Sequence, residues 1–362
     1  MNETEAMERA LDLAWRGWGR VQPNPMVGAV LLRDGAAVGE GFHASFGERH
    51  AERVALDAAG AAARGATMCV TLEPCAHQGR QPPCTEALIE AGVRRVVYAH
   101  EDPNPVARGG AARLQAAGVE VVRGPLRARA AAQNAAFLHR FRGLERPFVA
   151  LKLATSLDAR IADAEGRSRW ISGAEAREYV HWLRAGFDAI GVGGRTAAVD
   201  DASLTVRGPV EPRVPPVRVV FDRSLALGPA STLARTARAL RTIVFTEAQH
   251  IAAARPLADQ GAEVHPAPDL SAALAALHGF GIMSLLVEGG GRLAGALLAA
   301  GMVDRFHWIQ SPLFLGDHGV PAVAGLRAPP LASAERWTVV ERRPLGADTL
   351  TVLDREPCSP ES

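Results

Sequence analysis

The chain has 362 residues, 48% of them hydrophobic and 22% charged, with a formal net charge of +1. That length exceeds one ordinary core and predicts two α/β domains in a globular protein. The balanced charge, a total of two tyrosines and the lack of a basic tract argue against a nucleic-acid partner; the apolar runs are too short to span a membrane, and Glu3, Glu5 and Glu8 in the N-terminal stretch Met1 to Arg16, with its helical spacing, argue against a signal peptide, so a cytoplasmic location is expected.

In chain order, the pattern predicts a helix over Met7–Trp15 and strands over Val27–Leu32 and Ala37–Phe42, joined by the turn Asp34-Gly35. A helix from His50 to Ala63 precedes the strand Thr67–Leu72. A helix over Thr85–Ala91, a strand over Arg95–Ala99, a helix over Ala111–Ala117 and a strand over Val119–Val122 follow. The alanine-rich run Arg127–Phe141 reads as one helix leaving the first domain. Pro147 opens a fresh strand, Phe148–Leu153, which places the domains at 1–145 and 146–355, with a polar tail at 356–362. The second domain alternates again. Strands are expected at Ala189–Val192, Val217–Phe221, Arg241–Phe245, Glu263–His265 and Ser284–Val287, and helices at Ala174–Leu183, Gln249–Gln260, Leu270–Leu277 and Leu293–Ala299, with strand-rich sequence from Arg305 onward.

Four cysteines are too few for a disulfide framework in a chain of this length. Cys358 lies in the tail, and Cys69 in a strand where a buried thiol is expected. Cys75 and Cys84 differ, because each follows a proline, Pro74 and Pro83, and each is expected at the mouth of a helix, where the helix dipole favours a thiolate. Together with His50 they form a three-ligand set that would leave one zinc position open for water. Glu52, two residues after His50, is a poor second ligand from a regular helix and suits a group that takes and returns protons. His-x-Glu followed by paired cysteines is the pattern of zinc deaminases, here with Cys84 nine positions after Cys75 instead of three. A structural zinc site would need a fourth ligand, for which His77 is the nearby candidate.

Pro23-Asn24-Pro25-Met26-Val27-Gly28, Gly41-Phe42-His43, His50-Ala51-Glu52 and the run from Thr71 to Cys84 closely resemble the bifunctional deaminase–reductase family of riboflavin biosynthesis. Leu151 to Asp158, Gly166 to Ser172, Thr196 to Asp201, Leu204 to Arg207 and Val287 to Gly291 extend the resemblance through the second half. The resemblance implies a cytidine-deaminase-like α/β/α domain followed by a dihydrofolate-reductase-like α/β domain. It implies zinc-dependent removal of the 2-amino group from a diamino-pyrimidinone ribosylamine 5′-phosphate, then reduction of the ribosyl unit to a ribityl chain by NADPH. A homo-oligomer acting on a small molecule is implied as well.

Residue by residue, the resemblance implies NADPH contacts at Ala154, Trp170, Thr196, Asp200, Arg223, Gly290, Gly291, Arg292, Leu293, Ala294, Gly295 and Ala296. It implies sugar-phosphate contacts at Ser168, Arg184, Leu204, Arg207 and Glu288, and a ring contact at Asn24. Arginine suits the phosphate because its guanidinium offers forked, permanently charged donors. Lys152 and Asp200 are candidates for polar roles near the reacting carbon, and His77 and Arg80 are either substrate contacts or loop-ordering groups. The chain departs from the family pattern in a shortened loop over Val106–Gly110 and at Ala159, Ala202 and Arg223. Those departures keep a rival reading open, a deaminase carrying a catalytically inactive reductase-like domain.

Overall fold

The computed structural model describes every residue except 80–81, 328–329 and 356–362. The expected tail, Arg80 and Cys358 therefore lie outside the described residues. The chain divides into two compact units, Met1–Arg142 and a second beginning at Gly143.

In the first unit the order is α1 (Glu3–Ala14), β1 (Gly28–Arg33), β2 (Ala36–Phe42), α2 (Ala51–Ala59), β3 (Thr67–Leu72), α3 (Cys84–Glu90), β4 (Arg95–His100), α4 (Gly110–Ala116), β5 (Glu120–Arg123), α5 (Arg127–Gln133) and α6 (Ala135–His139). The sheet runs β2-β1-β3-β4-β5, with β1 antiparallel to both β2 and β3, and β3, β4 and β5 parallel. Successive strand residues face opposite ways. Leu31, Met68 and Val96 accordingly pack with Ala55 and Leu88 of α2 and α3, whereas Val30, Cys69 and Val97 pack with Met7 and Leu11 of α1. This is the expected α/β/α layering, and Cys69 is the expected buried thiol, pushed up to about 12 by burial. Gly39 and Gly41 let α2 lie directly on β2, since a Cβ on either would stand 2.3 Å from a carbonyl oxygen of that helix.

The second unit contains β6 (Phe148–Thr155), β7 (Arg160–Ala162), α7 (Ala174–Ala185), β8 (Ala189–Gly193), α8 (Gly194–Asp200), β9 (Val217–Phe221), α9 (Thr232–Arg235), β10 (Thr242–Thr246), α10 (Arg255–Asp259), β11 (Glu263–Pro266), α11 (Leu270–Gly279), β12 (Ser284–Glu288), α12 (Gly291–Ala299), β13 (Arg305–Gln310), β14 (Val320–Pro321), β15 (Thr338–Leu345) and β16 (Asp348–Asp354). Its nine-stranded sheet, β11-β10-β9-β8-β12-β6-β13-β16-β15, is parallel from β11 to β13 and closes with an antiparallel hairpin. Phe221, Phe245 and Val287 bury one face beneath α11 and α12, while Ile190, Val220 and Val244 bury the other beneath α8, α9 and α10. Among the described residues no helix is long and apolar enough to cross a membrane.

Three expected helices differ. The run Arg127–Phe141 is broken at Asn134, between α5 and α6. Gln249–Gln260 forms two short 3-10 turns and then α10, because Pro256 cannot supply the amide hydrogen bond a continuous helix needs. Cys75 lies in a loop and opens no helix; Cys84 alone of the pair starts one, α3.

Candidate active sites

In the first unit, His50 takes the N-cap position of α2 with extended backbone, φ −70° and ψ 157°, and Glu52 sits in the first turn. The end of β3 delivers Glu73-Pro74-Cys75, and the start of α3 delivers Cys84. Gly110 makes room for this loop, since a Cβ there would lie 1.7 Å from the Pro74 carbonyl oxygen. The ligand atoms of His50, Cys75 and Cys84 all lie within 4.8 Å of one another. His50 Nδ1 is 3.3 Å from Cys84 Sγ and 3.7 Å from Cys75 Sγ.

The helix start serves Cys75 indirectly, because the Cys84 amide donates to Cys75 Sγ at 3.4 Å. A hydrogen bond from the Cys84 thiol, reinforced by His50, holds Cys75 down to about 4, and that same bond keeps the proton on Cys84. Two buried sulfurs and an imidazole, brought by two helix starts and the loop after β3, suit zinc, which takes N and S donors in tetrahedral sites. The described residues of the cluster number three, and His77 is not among them. His77 instead lines the adjoining cavity, with its Nδ1 buried and unpartnered.

That cavity, of about 360 Å³, is bounded by Asn24, His43, His50, Glu52, Glu73, Cys75, Asp102, Asn104, Phe137 and Arg140 among others. Glu52 is 4% exposed, and burial pushes its carboxyl up, partly offset by His50. Burial also raises Asp102, to about 6. Asn24 Nδ2 lies 3.1 Å from His43 Nε2, and His43 Nδ1 lies 3.1 Å from the Arg49 carbonyl oxygen. An amide Nδ2 only donates, so His43 accepts at Nε2 and carries its proton on Nδ1. Burial lowers His43, in keeping with that neutral form. Sequence reasoning assigned no role to His43, Glu73, Asp102, Asn104, Phe137 or Arg140. The motif Gly41-Phe42-His43 carried a signal for the first, and the run from Thr71 to Cys84 for Glu73. The shortened loop still folds onto the site, packing buried Ala107 against both cysteines.

In the second unit, Glu288, Lys152 and His307 are register partners across β12, β6 and β13, so their side chains share one face of the sheet. Arg184 on α7 reaches this row. Its Nε and Nη2 pair with the two oxygens of Glu288 at 2.5 and 2.8 Å, and its Nη1 donates to the Thr205 carbonyl oxygen. The fork expected to meet a phosphate is thus already engaged. Arg207 is exposed, with Nη2 3.1 Å from Ser203 Oγ. Burial lowers the Lys152 ammonium, and Glu288 partly restores it.

Thr196 and Asp200 stand four apart on α8 and share a face. A Cβ on Gly290 would lie 3.0 Å from Thr196 Oγ1, so these two expected cofactor positions meet. Gly289 and Gly290 hold φ of +75° and +88° between β12 and α12. Ser168 and Ala154 are half-buried, and Asp200 is exposed. Trp170 is 71% exposed beneath the Arg177 guanidinium at 4.5 Å. Arg223 is exposed and paired with Glu247.

Several of the residues expected at contacts have side chains or glycine faces turned into the packing. Leu204 is 4% exposed and packs with Ile190 and Val220, so its side chain is unavailable to a substrate. Leu293 and Ala294 face the core with Leu297. Gly291 and Gly295 serve close packing, since Cβ atoms there would lie 2.2 Å from the Pro321 oxygen and 2.0 Å from the Ala324 oxygen. Of the segment 290–296, Arg292 and Ala296 are exposed.

Comparison with known proteins agrees with both halves. Residues 1–100 match the family described as the cytidine and deoxycytidylate deaminase zinc-binding region, and residues 147–350 match the RibD C-terminal domain. The riboflavin biosynthesis protein RibD of Escherichia coli K12 is 40% identical, over 96% of this chain and 98% of its own. That of Bacillus amyloliquefaciens is also 40% identical, over 91% and 87%. Among solved structures, Acinetobacter baumannii RibD aligns with a TM-score of 0.81 at 36% identity, covering 97% of this chain and 98% of that one. The Thermotoga maritima diaminohydroxyphosphoribosylaminopyrimidine deaminase/5-amino-6-(5-phosphoribosylamino)uracil reductase gives the same TM-score, identity and coverage. A zinc-binding deaminase region and a reductase domain in one polypeptide, matched from end to end, make this chain a member of the RibD family of bifunctional deaminase–reductases in riboflavin biosynthesis.

Proposed function

We propose that the first unit hydrolytically deaminates a 2,5-diamino-6-ribosylamino-4(3H)-pyrimidinone 5′-phosphate, and that the second reduces the product's ribosyl group with NADPH. The observation that carries the first half is the convergence of His50, Cys75 and Cys84 within 4.8 Å at a cavity of about 360 Å³ that buried Glu52 also lines. Zinc held by those three residues would supply the Lewis acidity that makes a water nucleophilic toward the amino-bearing carbon. Glu52 takes a proton from the attacking water and passes it to a ring nitrogen, then takes the remaining hydroxyl proton and passes it to the amine leaving as ammonia. Asn24, oriented by His43, holds the ring.

In the second unit, NADPH would supply the hydride. Thr196, Asp200 and the half-buried backbone at Gly290 form its cradle, where a glycine permits close approach. Lys152 stands beside Glu288 near the reacting carbon, and Arg207 with Ser168 receives the sugar phosphate. Because Arg184 is tied to Glu288, its part in this reading is to fix Glu288 as much as to meet the phosphate. The same reading makes the protein a cytoplasmic homo-oligomer acting on a small molecule, with neither nucleic acid nor membrane as partner. Exposed β15 at the edge of the large sheet supports self-association, since an edge strand offers unpaired backbone groups.

A mass-resolved assay on the diamino-pyrimidinone ribosylamine phosphate tests both halves. Deamination is expected without NADPH, and a further gain of two hydrogens once NADPH is added. Deamination with no subsequent reduction would instead favour the rival reading, in which the second unit is catalytically silent.

A further inference from the structure

Asn134 sits where the sequence pattern predicts an unbroken helix, yet the helix stops there. Its backbone, at φ −104° and ψ 23°, separates α5 from α6. The side chain is 5% exposed and makes a two-way pairing with one backbone unit 108 residues away. Asn134 Oδ1 accepts from the Met26 amide at 2.8 Å, and its Nδ2 donates to the Met26 carbonyl oxygen at 2.9 Å. A carboxamide is suited to this pairing because it presents one donor and one acceptor side by side. The neighbouring Gln133, also buried, donates to the Leu11 carbonyl oxygen of α1. The helix break is therefore an anchor point: Asn134 is buried and paired at both ends of its amide, and Gln133 adds a tie to α1 through its Nε2 alone.

What the anchor holds is a wall of the deaminase cavity. Two residues before Met26 stands Asn24, linked to His43, which is linked in turn to the Arg49 carbonyl just before His50. Past the break, α6 carries Phe137, and Arg140 and Phe141 follow; all three line the cavity. Arg140 Nη1 also donates to the Pro23 carbonyl oxygen at 2.7 Å, a second tie between the same two segments. The 23–27 strip and the 137–141 strip are thus fastened at both ends, and the buried fastening is Asn134.

We propose that Asn134 is a positioning residue of the deamination, setting Asn24 against the substrate ring through Met26 while taking no part in holding the metal. The proposal rests on the reading of Asn24 as a ring contact. Asn134→Ala in the full-length, zinc-loaded protein is expected to raise KM for the diamino-pyrimidinone ribosylamine phosphate about tenfold, as expected for losing one or two buried hydrogen bonds. Zinc content and the reduction of the already deaminated substrate are expected to stay unchanged. Asn134→Asp keeps the volume and the acceptor but removes the donor, and it serves where the alanine variant fails to fold.

The decisive measurement is the double-mutant cycle with Asn24→Ala. If Asn134 acts through Asn24, adding the Asn134 change to Asn24→Ala costs little more, because coupled residues are non-additive. Losses that multiply, or a KM unchanged by either Asn134 variant, would overturn the proposal. A KM unchanged by Asn24→Ala alone would refute the reading of Asn24 and overturn the proposal with it.

Discussion

At the scale of single residues, the deaminase chemistry turns on a carboxyl that is buried yet not a ligand. Glu52 lies one helical step from the cluster, inside the first turn of α2, and desolvation raises it toward the range useful for moving protons. Glu52→Gln keeps the shape and removes the transfer, so deamination is expected to fall by about 10²–10⁴ with zinc retained at the level of the unaltered chain. Metal analysis beside the assay checks this, and loss of zinc would refute the role. The triad and Glu52 were legible in the sequence because their spacing is fixed by chain direction at two helix starts and one strand end. Ala159 was legible only as an oddity. Its φ of +57° shows that the left-handed conformation survives without glycine, at a cost of roughly 1 kcal/mol for an L-residue. Ala159→Gly is expected to stabilise the second unit by about 0.5 kcal/mol, less than that cost because glycine loses more freedom on folding. Chemical denaturation reads this out, and a lower midpoint would contradict it.

At the scale of elements, strands were read nearly to the residue, since buried parallel strands are short apolar runs bounded by turns. Helices were read less well wherever a side chain distant in sequence decides the outcome. Nothing local in Ala130 to Ala136 announces that Asn134 will pair with Met26 and end α5. The α12 segment shows the same limit from the other side. Its glycines suggested close approach by a cofactor, yet Gly291 and Gly295 are required by the backbone of residues 321–324. Gly295→Ala would place a methyl 2.0 Å from the Ala324 oxygen, and neither partner is a flexible side-chain end. A cost of about 1–3 kcal/mol is expected from such overpacking. Reduction should then weaken through displaced backbone at the start of α12 while deamination is spared. Full reductase activity in a stable Gly295→Ala protein would show that the packing yields more easily than these distances imply.

For the molecule as a whole, two chemistries share one chain, and the units that carry them have separate cores and separate sensitivities. Acid is where they should part. His307 lies 5% exposed on β13, with Nδ1 2.8 Å from the Tyr179 hydroxyl. Burial, with a smaller contribution from Arg305, pushes it from an ordinary value near 6.5 down to about 3. The folded form therefore keeps His307 neutral where the unfolded chain would protonate it. Stability from this residue is fully present above about pH 6.5 and is lost progressively as the pH falls toward 3. Unfolding of the second unit, followed through hydrogen-exchange protection along β13 against denaturant, should need less denaturant at each step down this window. His307→Leu with Tyr179→Phe removes the titrating ring without orphaning the hydroxyl. In that variant the second unit's pH dependence across this window should flatten while the first unit's stays as it was. A slope unchanged by the double substitution would place the acid sensitivity elsewhere, with the Glu288 carboxylate, held down by Arg184, the next group to test.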